Sequence, residues 1–121
     1  IDEVVSYVSD DTFRDRLATC KEEHEKLKDK IQVQLDKFHD EGKDPNPMAK
    51  SMSWVKTNAK LAMDESDNTI ADLITDGCNM GVKSLIRYRN RYPNASEAAR
   101  SIAGQLIDSE QLLCKSMQPY L

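Results

Sequence analysis

Histidine occurs only twice in these 121 residues, and glycine and proline four times each. Phenylalanine appears twice and tryptophan once. So little glycine and proline leaves scant material for a sheet rich in tight turns. No apolar run approaches the roughly 18 residues of a membrane span, and no signal-peptide pattern opens the chain. Positive charge is also short: 17 basic against 21 acidic residues leave a net charge of −4, without the basic stripe that nucleic-acid binding needs. Three cysteines, odd in number and widely spaced, do not make a disulfide framework. The expectation is a cytoplasmic protein that binds neither nucleic acid nor membrane.

What is present is helical pattern. With 39% hydrophobic and 31% charged residues, the composition suits one soluble helical domain. Phe13, Leu17, Cys20, His24, Leu27, Ile31, Leu35 and Phe38 recur at steps of three and four, an apolar stripe more than three heptads long. Ser9, Asp10 and Asp11 supply its start and Gly42 its end. In Asp44-Pro45-Asn46-Pro47, Asn46 can cap and Pro47 can occupy the first position of a second helix. That helix carries Met48, Met52, Val55, Ala59 and Ala62 as its stripe, with Trp54 on the flank as an expected core anchor. Ser66 opens a third, striped by Ile70, Ile74, Gly77, Gly81, Leu85, Tyr88 and Tyr92. Pro93 stops it, and Asn94 with Glu97 reads as the capping box of a fourth. There Ala98, Ala99, Ile102, Leu106, Leu113, Met117 and Tyr120 face inward.

The short connections make successive helices neighbours of opposite direction. The expected architecture is all-α: an antiparallel up-down-up-down four-helix bundle over residues 9–121, with helices at about 10–41, 47–64, 67–92 and 95–118. Residues 1–8 are expected to add a helical turn or an arm that packs on a partner. Within the third helix, Gly77 and Gly81 stand opposite small residues of the fourth, Ser109 and Gly104. Two readings follow, a close backbone approach or a gap that admits a ligand.

At about 1.5 Å of rise per residue, Cys20 and Cys114 fall at one level, Cys78 about 10 Å higher, and His24 one turn above Cys20. Cys20, His24, Cys78 and Cys114 are therefore the candidate metal ligands, because thiolates with an imidazole suit zinc or cuprous copper. The competing reading makes the cysteines small core hydrophobes and His24 a satisfied core histidine. Gln34 and Asn58 near inner faces suit a register-fixing role. Asp36, His39, Asp40, Glu41 and Asp44 lack the spacing of an EF-hand and read as a solvated helix end.

A carboxylate-bridged diiron bundle needs Glu-x-x-His on two helices, whereas both histidines here, His24 and His39, lie on the first. Helical N–H groups offer Cys20 and His24 no oxyanion donors, so no catalytic residue is assigned and an enzyme is not expected. Ser53-Trp54-Val55-Lys56-Thr57-Asn58, Lys60-Leu61-Ala62-Met63 and the run from Ile70 to Gly81 resemble a family of uncharacterised bacterial proteins similar to ferritin-like four-helix bundles without a diiron site. The resemblance spans roughly residues 17–121. It implies the ferritin-like bundle and a bacterial, cytosolic origin, and it transfers no catalytic residue and no cofactor. The leading functional expectation is a non-enzymatic bundle acting through self-association or a protein partner. The alternative is a degenerate ferritin-like protein binding a metal ion or small ligand in its core.

Overall fold

The computed structural model describes residues 1–40, 42 and 46–121. Among them are four α-helices and no strand: α1 (Asp11–Lys37), α2 (Pro47–Met63), α3 (Asp67–Arg91) and α4 (Glu97–Met117). Short 3-10 turns at Val5–Tyr7 and Gln118–Tyr120 flank them. No described helix is long and apolar enough to cross a membrane.

Side-chain caps explain where the helices begin. Asp10, rather than Ser9, caps α1 by accepting the Phe13 N–H at 2.7 Å. Asn46 accepts from Met48 ahead of Pro47, and Ser66 accepts from Thr69. At α4 the expected Asn94 cap is displaced by Ser96, which takes the Ala99 N–H at 3.2 Å, so the helix starts at Glu97. A capping residue can satisfy donors only two or three positions on, and Asn94 is too far back once Glu97 opens the helix.

The expected end of α1 at Gly42 is also corrected. The helix closes at Lys37, with Phe38 as its cap and His39 in the left-handed region at φ 52°. Glu41, Asp44 and Pro45 of the expected helix end and connection lie outside the described residues.

The dry core gathers at one end of the molecule. Phe13 and Leu17 from the start of α1 meet Ile70 and Ile74 from the start of α3, and Leu113 and Met117 from the end of α4. Full burial of such side chains contributes about 1.5–3 kcal/mol each. Val4 and Val8 of the N-terminal arm are buried in the same cluster, so the arm packs on its own chain. The Tyr120 ring stacks on Phe13 with centroids 4.2 Å apart and planes 12° from parallel. The Asp67 carboxylate accepts the backbone N–H groups of Ser9 at 2.7 Å and Asp10 at 2.9 Å, which ties the end of the arm to the start of α3.

α3 packs extensively on α4, and α4 on α1, whereas α2 touches α3 only sparsely. Its fixed points are Leu61, buried in the core, and two ion pairs, Lys60 to Asp72 and Lys56 to Asp76. The expected inward stripe of α2 is thereby overturned. Met48, Met52 and Val55 are 71%, 68% and 56% exposed, and Ala59 and Ala62 are exposed with them. Trp54 is 57% exposed and anchors no core. The physical reason is the rotation that Lys56, Lys60 and Leu61 impose: turning them toward α3 leaves the heptad stripe on the far side.

Neither expected glycine contact forms. A Cβ on Gly77 or Gly104 would meet nothing within 4 Å, so the backbones do not approach closely there. At Gly81 a Cβ would stand 3.4 Å from Glu110 Cδ, so this glycine leaves room for a side chain of α4.

Candidate functional site

α1 supplies His24, one turn above Cys20. Its Nδ1–H donates to the Cys20 carbonyl at 2.7 Å, and Nε2 lies 3.1 Å from Glu110 Oε1 on α4. An ionised carboxylate only accepts, so Nε2 must donate as well. When both nitrogens donate, the ring is an imidazolium. The hydrogen bond donated to Glu110, opposed by partial burial, raises the His24 pKa above 6.5.

Glu110 is the centre of the arrangement. Burial acts to raise its pKa, but the hydrogen bonds from His24 and the Cys78 thiol outweigh burial and hold it below the usual 4.5. Burial foremost, and then the bond to Glu110, pushes the Cys78 thiol far up. Both His24 and Glu110 keep under a third of their side-chain surface exposed, so water screens the pair only partly.

Of the four sequence candidates, His24 and Cys78 meet at Glu110. Cys114 is turned toward Asn79, its Sγ 3.8 Å from Oδ1. Cys20 offers His24 its backbone carbonyl, and its thiol is held protonated by burial and by Glu23. Thiolates, not thiols, ligate metals and attack electrophiles. Among the described residues no three His, Cys, Asp or Glu side chains are grouped so as to hold a metal ion.

Beside the pair opens a cleft of about 660 Å³. Ser53 and Thr57 of α2 form one wall, Lys21 and Lys28 of α1 the opposite one, and Gly77 and Cys78 of α3 a third. Glu110 and Leu113 of α4 and Val4 of the arm also line the cleft. At its rim Lys21 is held by Asp2 at 2.7 Å. Asn58, expected near an inner face, bonds the Trp54 carbonyl of its own helix at 2.8 Å. Farther along, Lys30 reaches Gln105 of α4 at 2.8 Å.

Glu110 is invisible to a pattern of apolar residues alone, which on α4 passes over it. The signal was there: Leu106 and Leu113 are seven apart, and the heptad position between them is residue 110. An acid in that gap calls for a buried partner, and His24 is the one stripe residue of α1 able to supply it.

Compared with protein-family models, curated proteins and solved structures, the chain finds no significant match.

Proposed function

We propose that this chain is an antiparallel up-down-up-down bundle of the ferritin-like kind that acts by association, with itself or with a protein partner, and not by catalysis. The pairs Lys30 with Gln105 and His24 with Glu110, and likewise Lys56 with Asp76 and Lys60 with Asp72, support that topology, since numbers rise on one helix as they fall on its neighbour. The observation that carries the function is the apolar stripe of α2 turned to solvent. Contiguous exposed apolar surface on an otherwise ordinary helical domain is characteristic of a contact surface. The chemistry of the site agrees: both nitrogens of His24 are engaged, and burial raises the pKa of the Cys20 and Cys78 thiols, which disfavours a free base or a thiolate nucleophile there.

Hydrogen exchange along α2 tests the reading, measured in the purified chain and in native extract. Association predicts slower exchange of α2 amides in the assembled species. Equal exchange in both, together with a single species of monomer mass, would remove it.

A second reading, a core that binds a small ligand or a metal ion, has the cleft beside His24 in its favour. Native mass spectrometry after loading with zinc or cuprous ion, before and after chelator, tests the metal version. An unchanged mass would discard it.

A further inference from the structure

We infer that the outward stripe of α2 is a two-fold interface, on which the α2 helix of a second copy of this chain lies antiparallel. The inference rests on the association reading and names its partner.

Met48, Met52, Val55, Ala59 and Ala62 follow one another at steps of four, three, four and three. That is the strict two-in-seven seam of paired helices, narrower than the face a globular core requires. The seam is also graded. Its N-terminal half carries methionines and its C-terminal half alanines, so a parallel copy would stack large on large and small on small. An inverted copy sets Met48 against Ala59 of the second molecule and Met52 against its Val55. Each large side chain then meets a smaller one, and the contact from i to j is repeated from j to i, as two-fold symmetry requires.

Charge does not oppose the pairing. Ser51 and Asn58 border the seam on one side, Lys56 and Met63 on the other, and the Lys56 ammonium is held by Asp76 at 2.8 Å. Met63, 89% exposed, widens the apolar strip at its end.

The strip is one face of a 17-residue helix, about 25 Å long at about 1.5 Å per residue, and is smaller than the roughly 800 Å² per partner of a standard stable interface. The pair is therefore concentration-dependent rather than obligate.

Sedimentation equilibrium of the whole chain, from about 1 μM to about 1 mM, reads the dissociation constant. The unaltered chain is expected to dimerise in that range. Val55→Asp should weaken the dimer at least tenfold, and Tyr88→Asp, on exposed surface of α3, should change it less than twofold. Both sites are solvent-exposed, and an unchanged helical circular dichroism spectrum verifies folding. The inverted register has its own test. Met48→Glu and Ala59→Lys should each weaken dimers alone, and an equimolar mixture should restore them, because only inversion brings position 48 to position 59.

A chain that stays monomeric to about 1 mM overturns the second-copy inference and leaves association with a different protein standing. A dimer indifferent to Val55→Asp overturns this face while self-association survives. Failure of the mixture to restore dimers overturns the inverted pairing.

Discussion

The two ends of the bundle carry similar apolar stripes and meet different fates. At one end, Phe13, Leu17, Ile70 and Met117 are fully buried. At the other, Phe38, Met48, Tyr88 and Tyr92 are all more than half exposed. The helices alone do not account for this, since each stripe runs the length of its helix. The difference comes from the flanking segments. Val4 and Val8 of the arm and Tyr120 of the closing turn cover the first end, and Leu61 docks the end of α2 there. Nothing among the described residues does the same for the second. An apolar stripe thus states a requirement for cover, and the short segments outside the helices decide where that cover comes from within the chain.

The largest expected effect breaks the contrast directly. Phe13→Ala removes a fully buried ring and its stack on Tyr120, and should destabilise by about 3–5 kcal/mol in chemical denaturation. Phe38→Ala at the other end should stay within about 0.5 kcal/mol. Equal losses would mean that the second end is as well packed as the first.

Between the two ends lies the His24–Glu110 pair, and its effect is intermediate. Glu110→Gln should destabilise by about 1–2 kcal/mol near pH 5.5, since it leaves the imidazolium without its counter-charge. The pH dependence follows from the two shifts. The raised His24 pKa contributes stability fully present below about pH 6.5 and lost as pH rises through the raised value. The lowered Glu110 pKa contributes stability present above about pH 4.5 and lost as pH falls through the lowered value. The pair's contribution is therefore greatest between about pH 4.5 and 6.5, and Glu110→Gln should flatten the stability profile there. A His24 resonance that titrates identically in the variant would dissolve the pair.

The smallest effect sharpens the comparison on α3. Gly77→Ala meets open space, so it should stabilise by up to about 1 kcal/mol through better helix propensity. The thermal midpoint would rise by a few degrees. A clear loss would mean that the backbone at Gly77 needs its freedom to form the cleft.

Much of the fold was legible because caps and periodicity are local. Asn46-Pro47 and Ser66 marked two helix starts correctly, since the capping oxygen and the N–H it satisfies are two or three residues apart. Ser96 was missed because Asn94 offered an equally plausible oxygen two residues earlier, and local pattern cannot choose between adjacent caps. Trp54 and the α2 stripe failed for a different reason. Periodicity says that Met48, Met52 and Val55 share a face, but the rotation of that face is set by Lys56 and Lys60 finding Asp76 and Asp72 on another helix. The site followed the same division. His24 and Cys78 were named from residue type, whereas Glu110, the group that joins them, becomes visible only when α1, α3 and α4 are brought together.

The clip made by Asp67 on the N–H groups of Ser9 and Asp10 has a consequence for the order of events in folding. It links positions 57 and 58 apart in sequence, and the Phe13–Tyr120 stack links the two extremes of the chain. The core thus joins residues of the arm and α1 to Ile70 and Ile74 of α3 and to Leu113 and Met117 of α4, contacts far apart in sequence. On a ribosome, α1 and α2 emerge before Ile70, Met117 and Tyr120, and the core cannot shut until the residues after Met117 are released. Helix formation can be early and fast in this protein, while the core waits for contacts between segments far apart in sequence.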